Sequence, residues 1–101
     1  MSFIIEQYTK KYTIKSLANL FITRDDLLDS IQYNDHIKKG YQPLCYTKIY
    51  TGHKDVIVRA FSCSALSKEW KNGENVITLK NLSNSTLKDI LLTVEIIWTS
   101  E

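Results

Sequence analysis

The strongest hydrophobic pattern lies near the C-terminal end. Ile90, Leu92, Val94, Ile96 and Trp98 fall on one parity, and Leu91, Thr93, Glu95, Ile97 and Thr99 on the other. A period of two, with one face wholly apolar and the other mixed, predicts a strand with one side in the core and the other partly covered. Upstream, Asn75, Ile77 and Leu79 alternate with Val76, Thr78 and Lys80, and Leu82-Ser83-Asn84-Ser85-Thr86 reads as a polar turn. Residues 74–98 are therefore expected to form an antiparallel hairpin. Residues 44–50 and 55–63 predict a second hairpin about Thr51-Gly52-His53, and Asn72-Gly73 closes the loop that carries Trp70. Shorter strands are expected over 11–17 and 20–24. Residues 1–10, where apolar and charged positions mix, read as an N-terminal arm before a β-sandwich domain spanning 11–101.

One segment departs from this pattern. Thr23-Arg24-Asp25-Asp26 has helix-capping character, and Leu27, Leu28 and Ile31 follow at helical spacing. A short helical turn near residues 25–31 is predicted. Gln32, Asn34, Asp35 and His36 give little apolar relief to a longer helix, so 31–37 is expected to be extended. Gly40 and Pro43 then punctuate the approach to the next strand.

Composition supports an all-β class. Ile (12), Val (4), Thr (9) and the eleven aromatics make a β-favouring set of 36, while Ala, the best helix former, occurs three times. The 101 residues suffice for one domain with its own core. The formal charge is +2 and only two of the thirteen cations are Arg, which argues against nucleic-acid binding. The N-terminus meets Glu6 before any signal-peptide core forms, and no apolar run is long enough for membrane insertion.

The chemistry-bearing residues are sparse. His36 and His53 have no nucleophile motif beside them and read as solvated loop residues. Asp25, Asp26 and Asp29 suit a helix start better than a metal site. Cys45 and Cys63 lack zinc-ligand spacing and read as two buried apolar fillers. Glycines at 40, 52 and 73 make no phosphate loop. No catalytic, cofactor-binding or metal residue is assigned, and the chain is expected not to be an enzyme. The triplets beginning at Asn81 and Asn84 read as turn chemistry rather than glycan acceptors. Trp70, with Lys68, Lys71 and Asn72 around it, is a candidate loop for a ligand or partner. Tyr41, Tyr46 and Tyr50 read as sheet packing. Leu91 and Ile97, on the mixed parity of the last strand, are candidate subunit contacts.

The order of segments resembles a known class. Ile22-Thr23-Arg24-Asp25-Asp26-Leu27, Gly40-Tyr41-Gln42-Pro43-Leu44 and Val56-Ile57-Val58-Arg59-Ala60-Phe61 are followed by Val76-Ile77-Thr78-Leu79-Lys80-Asn81-Leu82-Ser83-Asn84-Ser85 and the closing strand Leu92–Trp98. Over residues 11–99 this resembles small all-β bacteriophage virion proteins of the fibre-head or capsid-surface type. Those proteins share a "GY-x-P-(L/I)" strand opening and an "L-(R/K)-N-x-S-x-S" turn. They are richer in Gly, Ala and Val, where this chain uses Ile, Lys and Tyr, and the 68–72 loop is its own.

The resemblance implies a single-domain antiparallel β-sandwich of jelly-roll-like topology, a homotrimer carried on the virion and made in the host cytoplasm. Its partners would be copies of itself, other virion proteins and a host-surface glycan or protein. It would do no chemistry and need no cofactor, working by rigidity and recognition through loops. The alternatives are a small carbohydrate- or protein-binding module, or a phage-encoded inhibitor of a single protein partner.

Overall fold

The computed structural model describes residues 2–27, 30–67 and 75–100. Among the described residues six strands form two three-stranded antiparallel sheets: β1 (Ser2–Ile14), β2 (Asn19–Thr23), β3 (Gln42–Tyr50), β4 (Val56–Ala60), β5 (Asn75–Asn81) and β6 (Leu87–Ser100). Sheet A has the order β1-β6-β3 and sheet B the order β2-β5-β4. Between β2 and β3 run two short helices, α1 (Arg24–Leu27) and α2 (Ser30–Lys38), and a 3-10 turn at Cys63–Leu66 follows β4. The result is mostly β and sandwich-like.

The C-terminal strand forms as its alternation predicts. Ile90, Leu92, Val94, Ile96 and Trp98 are all buried on the inner face of sheet A. Ile22, Ile77 and Leu79 face them from sheet B. Neither expected hairpin forms. β5 pairs with β2 and β4, whereas β6 pairs with β1 and β3, and β3 and β4 likewise belong to different sheets. Each predicted turn is instead a crossing from one sheet to the other. Two packed layers bury both apolar faces, whereas a lone hairpin would leave one in water.

Asn81 secures one of these crossings. Its buried amide nitrogen donates to the carbonyls of Ile14 (3.1 Å), Lys15 (3.1 Å) and Ser85 (2.8 Å), while its oxygen accepts from the Ser83 N–H at 2.7 Å. One side chain thus ties the β1–β2 turn to the β5–β6 turn. This is turn chemistry, as expected for the triplet, but acting over more than sixty residues of sequence.

Residues 2–10, expected as an arm, are strand, and their charges are the reason the pattern was obscure. The inner parity of β1 reads Ile4, Glu6, Tyr8, Lys10, Tyr12, Ile14. Sheet A is long and sheet B short, so the helical connector covers the rest of sheet A's inner face. There Lys10 Nζ meets Asp26 of α1 at 2.6 Å, and Glu6 meets His36 of α2 at 2.6 Å. The molecule is 47 Å long, about the span of fourteen extended residues such as β6.

The helix also outruns its prediction. Thr23 caps α1 through its hydroxyl, which accepts from the Asp26 N–H at 3.2 Å. Beyond residues 28–29, α2 continues to Lys38 where extended chain was expected. Its end is a Schellman turn: Gly40, at φ +83°, donates to the Ile37 carbonyl at 3.1 Å, and Tyr41 donates to the His36 carbonyl at 2.9 Å. The missing apolar relief comes from His36 itself, which is buried rather than solvated. Its ring centroid lies 4.9 Å from that of Trp98 and 6.2 Å from that of Tyr41.

Candidate functional site

A sandwich of this kind presents four sheet faces, two inward and two outward, and the outer pair carries what is left for function. On sheet A the rows across the strands follow the register. Phe3 lies opposite Thr99 and Gln42, then Ile5 opposite Ile97 and Cys45, then Gln7 opposite Glu95 and Lys48. A register shift between Pro43 and Cys45 sets Leu44 beside this group. Phe3 (59%), Ile5 (62%) and Leu44 (56%) are exposed, and Ile97 is half-buried among them. The middle of the same face is polar. Glu95 accepts from the Thr47 hydroxyl at 2.9 Å and lies 3.9 Å from Lys48 Nζ.

Leu91 and Ile97, the two residues singled out on β6, do not share one patch. Leu91 is exposed opposite Lys11, six residues along the strand and about 20 Å from Ile97. Phe3, Ile5 and Leu44 were missed. The signal available was the apolar character of both parities over residues 3–5, the same feature that marked β6. Lys68, Trp70, Lys71 and Asn72 lie outside the described residues, as does Asp29.

The outer face of sheet B is different in kind. Its rows are Phe21–Thr78–Arg59 and Asn19–Lys80–Ile57. Two adjoining depressions of about 200 and 260 Å³ open there, and Arg59 and Thr78 line both. Thr78 is oriented by Asn75, whose amide nitrogen donates to its hydroxyl oxygen at 3.0 Å.

Of the titratable groups, His36 Nε2 and Glu6 Oε1 are close but poorly aligned for a directed hydrogen bond. Glu6 also accepts from the Tyr8 hydroxyl at 2.9 Å. The cluster clamps α2 onto sheet A. His53 stays in its turn, its Nδ1 accepting from the Asp55 N–H at 3.1 Å. Cys45 and Cys63 are unlike each other: Cys45 is exposed on sheet A, against expectation, and Cys63 is buried. Burial pushes the Cys63 thiol up to about 12, with the charge of Cys45 adding to the effect. Among the described residues no group of three His, Cys, Asp or Glu side chains is placed to hold a metal ion, and no helix is long and apolar enough to cross a membrane.

Compared with known proteins, the chain matches no family model, no curated protein and no solved structure.

Proposed function

We propose that this chain is a non-enzymatic structural protein that works by self-association, as a trimeric fibre-head or capsid-surface domain of a bacteriophage virion with a host-surface recognition role. The observation that carries the self-association is the apolar end of sheet A. Phe3, Ile5, Leu44 and Ile97 form one group on the outer face, bounded by the polar Gln7, Glu95 and Lys48. Apolar clusters with a polar rim mark protein contacts. The group also adjoins β1, thirteen residues long and an edge strand of sheet A among the described residues. Lys10, Lys11 and the register shift between Tyr12 and Ile14 blunt the far half of this edge, and β2 and β4 are short at five residues each, whereas residues 2–5 of β1 carry no charge.

The virion setting and the three-fold symmetry rest on the motif resemblance alone. Cyclic closure fits a face of this sort, because it limits the number of copies and avoids open filaments. The jelly-roll topology is supported by the connections: β1 to β2, β2 to β3, β3 to β4 and β5 to β6 each pass between sheets.

Light scattering on the purified chain tests the assembly. The expected mass is three times 11.7 kDa. Ile5→Lys with Ile97→Lys should give a monomer with an unchanged far-ultraviolet spectrum. A wild-type monomer at tens of micromolar would overturn the reading and favour an inhibitor of a single partner.

A further inference from the structure

The outer face of sheet B has no part in the assembly argued above, and its chemistry is that of a receiving surface. Arg59 and Lys80 stand on adjacent strands, and neither has an ion-pair partner among the described residues. Among the described residues no carboxylate lines either depression. Two uncompensated cations over adjoining hollows favour an anionic guest. The neutral groups narrow its class. Thr78 accepts the Asn75 amide on its hydroxyl oxygen, which leaves the O–H proton to donate outward. Asn75 lines the first hollow and Asn19 the second, and Asn75 Oδ1 is buried with no hydrogen-bond partner among the described residues. Phe61 lines the first hollow, and Phe21, 63% exposed, flanks Thr78.

Acidic groups alone need only the cations. Hydroxyl-bearing rings need amide and hydroxyl partners together with a flat apolar surface, and this face supplies all three. We infer that the outer face of sheet B binds an acidic saccharide, its carboxylate on Arg59 with Lys80 close by, its hydroxyls on Thr78 and Asn75, and its ring against Phe21 or Phe61. Arg suits the anchoring role, since its planar fork meets a carboxylate with two parallel hydrogen bonds. The inference deepens the recognition half of the proposed function and moves it from the Trp70 loop to a sheet face. It does not depend on the trimer, because a different face and a different measurement are involved.

The test is a titration of the full chain, followed by backbone amide shifts in nuclear magnetic resonance. The probes are a trigalacturonate, its methyl ester, and a hexaglutamate peptide. Trigalacturonate should move the amides of residues 57–60 and 76–80. The methyl ester and the peptide should each bind about tenfold or more weakly, the first lacking charge and the second lacking hydroxyls. Arg59→Ala and Phe21→Ala should each weaken trigalacturonate by a similar factor while retaining the wild-type far-ultraviolet spectrum, since both side chains are exposed. Absence of shifts at millimolar trigalacturonate, equal binding of hexaglutamate, or shifts confined to sheet A would each overturn the inference. Light scattering on the same samples reports assembly separately, so failure of the sugar site and failure of the trimer are told apart.

Discussion

The two outer faces are built on strands of the same alternating kind, yet they differ in what they offer. Sheet A ends in Phe3, Ile5, Leu44 and Ile97, while sheet B sets Arg59, Lys80, Asn19 and Thr78 among the exposed Phe21 and Ile57. The inner faces differ less: Ile, Leu and Val fill both, with Tyr8, Tyr12 and Trp98 added on the longer sheet A. The fold requires only the inner parity, and each outer parity is free to carry a separate task. An apolar face loses water best against another protein surface. A cationic face with amides and a hydroxyl keeps its water until a polar guest replaces it.

The largest expected effect removes both faces together. Val94→Asp places a lone carboxylate at a fully buried site in the central strand of sheet A. The cost is several kcal/mol, against a total stability of about 5–15 kcal/mol. Loss of the sigmoidal urea transition, with loss of both assembly and sugar binding, is the expected outcome.

Asn81→Ala should come next. It strips a buried corner of four hydrogen bonds and leaves the Ile14, Lys15 and Ser85 carbonyls short of a donor. About 2–4 kcal/mol of stability should be lost in urea titration, with both faces still functional at low temperature.

Smaller effects separate the faces. Ile5→Lys with Ile97→Lys should abolish the trimer and spare trigalacturonate binding, and Arg59→Ala should do the reverse. If either variant lost both properties, the faces would not be independent.

Thiol chemistry sharpens the comparison further. Cys63, raised from 9.0 to about 12, should stay protonated and unreactive toward iodoacetamide at pH 8, whereas Cys45 should react. Cys45 shares a row with Ile5 and Ile97, so its labelling should be slower in the trimer than in the double-lysine monomer. The same shift has a consequence for stability. In the unfolded chain the thiol ionises near 9.0 and in the folded protein near 12, so the fold holds the proton more tightly. Stability is complete below the lower value and falls as pH rises between the two. Tyr12 and Tyr46 act in the same direction, their hydroxyls raised first by burial and then by the charges of Asp26 and Cys63 respectively. Urea midpoints should hold from pH 8 to about 9 and decline from there to pH 11, and a flat profile over the whole range would count against buried thiol and phenol groups.

Strand character was legible in the chain wherever one parity was wholly apolar. Ile90 to Trp98 needed no partner to declare its buried face, because a one-residue slip would expose all five side chains. The capping role of Thr23 and the turn at Gly40 were equally local, set by a hydroxyl and a positive φ. What the alternation does not contain is the identity of the neighbouring strand. Residues 82–86 make a hairpin turn and a crossing between sheets with equal ease. The choice fell to the burial of β5 and β6 against each other and to Asn81 reaching back to residues 14 and 15. Glu6, Lys10 and His36 show the same limit from the other side. Each reads as a solvent-facing residue in sequence, and each lies under or against the helical connector because a charged or imidazole partner is brought to it. The outer faces are tertiary decisions as well. Arg59, Thr78 and Lys80 are ordinary strand residues until register sets them side by side, since a pattern along one strand says nothing about the row across three.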